Sequence, residues 1–337
     1  MDRLLYAISA ILLAVAVLLV AWAVLRRVYN RSLMATLAEW YMKVKRARFD
    51  EEAAKMELDE LARTGETAYK LPVSVRCEVK EYKSCNLQVF KFNPEGEGGT
   101  LLWLYGGGYV HRPLKYHIKF FDKLVAKSDC RIIMPILPRA PFATFREGYA
   151  AIESFYFSLG NPSSLILGGD SSGGGLALGL TIKLKEKGKP LPEKLILFAP
   201  WVDIAMTNPE IPEYEKKDPR NSCWLASIWG RAWAGGEDLG NYLLSPINGP
   251  LTGLPPVVQY TGTRDLLYPD SKLLHEKLLK SGVNSKFVQG NNLNHVYPVY
   301  PIPEARVAMR QICEDIAGGN GSVLPQEGVA AEVTSLK

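Results

Sequence analysis

The run Gly169-Asp170-Ser171-Ser172-Gly173-Gly174-Gly175 sets one serine hydroxyl among glycines, between an apolar stretch (165–168, LILG) and a helix-forming one (176–184, LALGLTIKL). Strand, sharp turn and helix in that order make the context of a nucleophile elbow, where glycines let the backbone pack closely while the serine stands at the helix amino terminus. The dipole and free N–H groups at that terminus favour developing negative charge, as acyl transfer requires. A phosphate-binding loop would carry a lysine within the glycine run, and the first lysine after it is Lys183. Ser171 is therefore the candidate nucleophile. Upstream, Tyr105-Gly106-Gly107-Gly108-Tyr109 follows another apolar stretch. Glycines there let backbone N–H groups point into a cavity, where they could hold a tetrahedral oxyanion.

An elbow serine needs a base and an acid, in the chain order serine, acid, histidine. Four histidines are available. His111 and His117 precede the serine and belong with the glycine triplet. His275 lies in an amphipathic helical run and reads as solvated surface. His295, between a short strand and the last helix, is the candidate general base. For the acid, Asp265 ends Tyr260-Thr261-Gly262-Thr263-Arg264-Asp265, just past a buried strand. Asp203, after the preceding strand, is the alternative, since it too could reach the histidine. Asp270 reads as a helix cap, and Asp170 as a turn residue facing away from the chemistry.

The elements that must position these groups alternate. Strand-like runs at 73–82, 87–92, 101–105, 131–137, 165–168, 195–200, 257–262 and 285–288 are separated, from residue 105 on, by helical stretches at 115–128, 143–159, 173–187, 269–281 and 303–316. Short strands apolar on both faces predict a mostly parallel sheet with helices on both faces. Residues 203–250 break the alternation and read as a cap insertion above the sheet. Residues 32–65 read as two helices, with Ser32 and Asp50 as caps and Gly65 as a stop. Trp40, Tyr41 and Val44 form an apolar stripe there, suited to packing against the body or to covering an apolar pocket as a lid.

With these motifs in place, the chain resembles the hormone-sensitive-lipase-like esterases of the α/β-hydrolase fold over residues 90–316. That family carries His-Gly-Gly-Gly upstream and Gly-Asp-Ser-Ala-Gly-Gly at the nucleophile. Here Tyr105 stands where the family has its histidine, Ser172 stands where it has alanine, and Pro138-Arg139-Ala140-Pro141 looks like its Leu-Ala-Pro segment. The resemblance implies an α/β-hydrolase fold with a helical cap and supports Asp265 as the triad acid. It also implies that Gly107, Gly108 and Ser172 donate the oxyanion-hole N–H groups. The expected activity is serine carboxylic-ester hydrolysis through an acyl-enzyme, acting on apolar or lipid-like esters, without cofactor or metal. Tyr109 and Trp201 are candidate substrate-binding residues. Tyr214, Trp224, Trp229 and Trp233 either line an acyl pocket or pack the cap. The same fold also serves non-catalytic ligand-binding receptors, and the same triad serves acyltransferases and peptidases.

Residues 4–25 run for 22 positions without a charge, enough for one helix to cross a bilayer. Arg26, Arg27 and Arg31 follow, so a retained anchor would leave the body on the cytoplasmic side. A cleaved signal ending near Ala21-Trp22-Ala23, with export, is the alternative. Residues 26–48 hold seven bases and one acid, and elsewhere 33 bases face 34 acids, which leaves no basic face for nucleic acid. Five cysteines include no CxxC pair. Cys77 and Cys85 could meet across a hairpin, though reduced thiols are the plainer expectation. The expected organisation is an anchor (1–31), a helical lid segment (32–72), a catalytic domain (73–317) and a disordered tail (318–337), of unknown oligomeric state.

Overall fold

The computed structural model describes residues 2–46 and 49–318. Apart from Gly318, the tail expected at 318–337 lies outside the described residues. Eight strands form one sheet: β1 (Val79–Ser84), β2 (Leu87–Phe92), β3 (Thr100–Leu104), β4 (Arg131–Pro135), β5 (Leu165–Asp170), β6 (Lys194–Phe198), β7 (Val257–Arg264) and β8 (Ser285–Asn294). Their spatial order is β1-β2-β4-β3-β5-β6-β7-β8. The first two pairings are antiparallel and all others parallel. Cys85 and Asn86 both take positive φ (49° and 63°) in the β1–β2 turn, the geometry that matches the twist of a two-residue hairpin. Every residue of β5 and β6 is buried, so helices must cover both faces of the sheet centre.

The helices of the sheet layers are α4 (Lys115–Ser128), α5 (Phe145–Ser158), α6 (Ser172–Glu186), α9 (Tyr268–Lys280) and α10 (Pro303–Ala317), each within two residues of the expected bounds. The 203–250 segment contributes α7 (Ile211–Glu215) and α8 (Cys223–Ala234). Two strands differ from expectation. Residues 73–78 do not join β1, because the N–H groups of Arg76 and Cys77 donate to Asp122 Oδ1 (2.8 and 3.1 Å) instead of to a neighbouring strand. β8 continues through polar residues to Asn294, because β7 runs on to Arg264 and keeps pairing with it past a bulge. Cys77 and Cys85 are both free thiols.

At the amino end, α1 (Asp2–Tyr29) includes the apolar stretch Leu5–Val28, long and apolar enough to cross a membrane, with the residues of its most apolar window left unburied. Next come α2 (Leu33–Arg46) and α3 (Glu51–Thr64). Ser32 Oγ accepts from Ala35 N–H (3.1 Å), Asp50 Oδ1 from Ala53 N–H (2.9 Å), and Gly65 ends α3 at φ 76°.

The α2 stripe does not pack on the body. Trp40, Tyr41 and Val44 are 64%, 51% and 37% exposed, and Leu37 beside them 55%. The face that meets the body carries Ala35 and the buried Glu39 instead. Glu39 accepts from Arg264 at both oxygens (2.9 Å each), from Lys43 (2.8 Å) and from Arg31. Arg31 also donates to the Asn292 carbonyl (2.9 Å), and Ser32 Oγ to Glu304 (2.9 Å). The helix after the apolar segment is thus fastened by charge to the strand ends that carry residues 265 and 295.

Burial alone would raise the Glu39 carboxyl, but hydrogen bonds from Lys43, Arg264 and Arg31 outweigh it and hold the group down at about 2. Its ionised form therefore contributes stability that is complete above its usual value of 4.5 and is lost as pH falls through about 2. Glu39→Gln is expected to lower the unfolding free energy at pH 7 by about 3 kcal/mol in denaturant titrations. The gap from wild type should narrow between pH 4.5 and 2. Glu51→Gln, which opens the exposed pair with Lys55, should cost under about 1 kcal/mol.

Candidate active site

Ser171 joins the end of β5 to α6 with φ 52° and ψ −123°, a backbone conformation that non-glycine residues rarely adopt. Its N–H donates to the Phe198 carbonyl (2.9 Å), and its own carbonyl accepts from Trp201 (2.8 Å) and Gly175 (3.1 Å). The neighbouring glycines are steric requirements. A Cβ at Gly173 would stand 1.9 Å from the Leu104 carbonyl oxygen, and one at Gly169 would stand 2.6 Å from the Gly173 oxygen.

His295 lies just beyond β8, and its Nδ1 is 2.9 Å from Asp265 Oδ2. Asp265 is fully buried and accepts Leu267 N–H at its other oxygen (2.9 Å). A carboxylate at Nδ1 fixes that nitrogen as the donor and leaves Nε2 as the acceptor. Burial pushes the imidazole down, but the charge and hydrogen bond of Asp265, aided by Asp218, bring it above its ordinary value. Asp203 does not compete. Its carboxylate accepts from Ala205 N–H, from Thr207 N–H and Oγ1, and from Ser245 Oγ at 2.6–3.1 Å, locking the turn after β6.

Ser171 and His295 line one cleft of about 820 Å³, its open mouth included. Among the described residues no hydrogen bond joins Ser171 Oγ to the imidazole. Such bonds are often long without substrate and close when it is bound.

The glycine loop forms another wall of the cleft, with Gly106, Gly107 and Gly108 on it. Its bracing explains both departures from the family pattern. Tyr105 Oη accepts Leu137 N–H (3.1 Å), tying the loop to the chain after β4, and burial pushes this phenol up to about 12, so it stays neutral. Ser172 Oγ accepts Gly107 N–H (3.1 Å) and Tyr109 N–H (3.3 Å). Gly107 N–H is therefore already engaged. Of the three expected donors, Gly108 and Ser172 keep N–H groups without a partner among the described residues.

Asp170 does more than serve its turn. It accepts Trp103 Nε1 (3.0 Å) and His117 Nε2 (3.0 Å) and packs so closely on Gly106 that a Cβ there would stand 2.4 Å from its Oδ2, so it couples elbow to glycine loop. Leu114 N–H donates to His117 Nδ1 (3.0 Å), so Nε2 carries the proton given to Asp170. Pairwise spacing of 53 residues gave no signal for this contact.

Other residues differ from expectation. Trp201 lines the cleft, but Tyr109 does not; its ring stacks on Trp233 (4.9 Å) and tilts against Trp201 (5.4 Å). Of the remaining aromatics, Trp229 lines the cleft, while Tyr214 stacks on Tyr268 and Trp224 meets Phe49. His275 is half-buried, bonded to Ser285 Oγ (2.8 Å) and stacked on Phe287. Asp270 lies inside the first turn of α9, 1% exposed, and does not cap it; burial raises its carboxyl to about 7.

Two further residues come from the insertion without a sequence signal. Asp218, 2% exposed, accepts Leu266 N–H (2.8 Å) beside the acid, and its carboxyl is raised by burial and by the charge of Asp265. Arg220 lines the cleft. Among the described residues no cluster of three or more His, Cys, Asp or Glu is placed to hold a metal ion.

Comparison with known proteins bears on the fold and the family. A family model described as alpha/beta hydrolase fold matches residues 101–299. The chain is 28% identical over 219 residues to an acetyl-hydrolase of Streptomyces hygroscopicus, covering 63% of this chain and 73% of the relative. It is 27% identical over 219 residues to an esterase of Acinetobacter venetianus, covering 63% and 72%. A Staphylococcus aureus protein assigned to the esterases superposes with a TM-score of 0.77 at 27% identity, covering 80% of this chain and 94% of that one. A bacterial esterase of the hormone-sensitive lipase family superposes at 0.73 with 23% identity, covering 85% and 98%, a likeness of fold.

If Asp265 holds His295 as described, Asp265→Asn should lower kcat/KM about 10³–10⁴-fold for any ester turned over. Since the base must be neutral, activity rises as pH passes the imidazole pKa. Loss of the carboxylate should move that acid limb to lower pH, and a limb that stays in place would separate the two residues functionally. Tyr105→Phe should cost about 1–3 kcal/mol in denaturant titrations by orphaning Leu137 N–H.

Proposed function

The chain belongs to the alpha/beta hydrolase-fold family, and from that membership we propose a serine carboxylic-ester hydrolase working through Ser171, His295 and Asp265. The observation that carries the reading is the convergence on one cleft of an elbow serine at φ 52° and an imidazole whose far nitrogen is held 2.9 Å from a buried carboxylate. In the proposed reaction His295 Nε2 takes the Ser171 proton as Oγ attacks the ester carbonyl. Gly108 and Ser172 N–H groups receive the oxyanion, and Asp265 stabilises the imidazolium. The alcohol leaves with the proton from Nε2, and water then releases the acid from the acyl-enzyme by the same route.

Apolar esters suit this cleft. Trp201, Leu225, Trp229, Val296 and Val299 supply much of its lining. We assign the apolar amino-terminal helix to a retained membrane anchor, with the basic flank placing the body on the cytoplasmic side. The outward stripe of Leu37, Trp40 and Tyr41, which continues the anchor, then rests on the bilayer and lets apolar substrates reach the cleft from that side.

A fluorophosphonate probe tests the chemistry: wild type should label and Ser171→Ala should not. Labelling that survives this substitution, or fails in wild type, would point to a binding protein on the same fold. With 4-nitrophenyl esters, kcat/KM should rise with acyl length from two to about eight carbons, in line with about 0.8 kcal/mol per buried methylene. A flat or falling series would exclude the apolar-ester reading.

A further inference from the structure

One residue lining the cleft has no part in ester hydrolysis as proposed. Arg220 stands in the segment between α7 and α8, and among the described residues lining the cleft it is the only Arg or Lys. A guanidinium remains charged throughout the physiological range and offers five N–H donors. Among the described residues it has one acceptor, Tyr300 Oη, 3.2 Å from Nη1, and the residue is otherwise exposed. Among the described residues no carboxylate oxygen lies within the 4.0 Å of an ion pair.

The two nearby carboxylates are already committed. Asp218 accepts the backbone N–H groups of Arg220 (2.7 Å), Asn221 (2.8 Å) and Leu266 (2.8 Å). Asp170 accepts Trp103 and His117, each at 3.0 Å. The bond from Arg220 N–H to Asp218 also fixes the backbone that presents the side chain to the cleft.

Independently, Ser222 is 1% exposed, its Oγ has no hydrogen-bond partner among the described residues, and it lines the same cleft two residues along. A buried hydroxyl left unpaired costs roughly 1–3 kcal/mol, a cost that a bound acceptor removes. A forked cation and an unpaired hydroxyl together match the acceptors of a carboxylate.

We infer that the cleft selects esters carrying a carboxylate, which Arg220 binds with help from Ser222 while the scissile carbonyl lies at Ser171. This rests on the hydrolase reading above and narrows it to amphiphilic esters, apolar on one side and anionic on the other.

The test uses full-length protein in detergent micelles and two substrate pairs of matched shape. In 4-nitrophenyl hemiglutarate against 4-nitrophenyl valerate the charge lies on the acyl side. In 4-acetoxybenzoate against its methyl ester it lies on the alcohol side. In at least one pair, the ratio of kcat/KM, anionic over neutral, should exceed one and fall at least tenfold in Arg220→Gln, mainly through KM. Arg220→Lys should retain part of it, and 0.5 M NaCl should reduce it in wild type.

An equal ratio in wild type and Arg220→Gln for both pairs would overturn the inference. So would a loss confined to stability, which would make Arg220 a counter-ion for Asp218 and Asp170. Ser171→Ala, titrated calorimetrically with the same pairs, reads the selectivity without turnover. Anion preference lost on adding Arg220→Gln there would uphold the site even if the hydrolase reading failed, and no preference would refute it.

Discussion

The backbone at Ser171 is the constraint from which the arrangement follows. A left-handed conformation at a residue with a side chain costs about 1–3 kcal/mol and persists only where its surroundings leave no alternative. Here β5 delivers the chain to the turn, α6 leaves it at once, and the passage is so narrow that a methyl at Gly173 would meet the Leu104 carbonyl at 1.9 Å. The Phe198 carbonyl and Trp201 N–H hold the serine's peptide groups from β6 and its loop. Asp170, the residue before, carries the constraint outward by hydrogen bonds to Trp103 in β3 and His117 in α4 and by close packing on Gly106 in the glycine loop. Candidate nucleophile and candidate oxyanion donors are therefore two ends of one polar knot at the sheet's carboxyl edge.

The base side is organised by charge rather than by tight packing. Asp265 and Asp218 are both buried; burial and the charge of Asp265 raise the Asp218 carboxyl, while His295 and the Asn221 and Leu266 N–H groups draw it down. Leu266 N–H bonds to Asp218 and Leu267 N–H to Asp265, so the turn after β7 is shared between the two carboxylates. One residue before, Arg264 closes a bidentate pair with Glu39 on α2. Acid, insertion and amino-terminal helices thus converge within three consecutive residues.

What could be read in the residues alone followed from locality. The elbow, the glycine triplet and the pairing of residues 265 and 295 each rest on a short run beside an apolar strand. The α2 stripe shows where such reading ends. Helical spacing tells which residues share a face but not which face turns inward, and four charged groups, Glu39 with Arg31, Lys43 and Arg264, turned the polar side in. β8 was underestimated because Gln289, Asn291 and Asn292 have poor strand propensity, which pairing with β7 overrode. Arg220 and Asp218 stand in a segment without periodicity, so only the folded chain brings them to the cleft. His117 and Asp170 meet because β3 lies next to β5, a neighbourhood that no spacing encodes.

Arg31 and Ser32 begin the part of the chain that follows the apolar helix, and both are fastened to the body at once, to Asn292 and Glu304. Such a tether is short: one turn, at Asn30, separates the apolar helix from the first fastened residue. On the anchored reading, the cleft is kept close to the lipid, so the molecule meets its substrates by drifting in two dimensions rather than by diffusing in three.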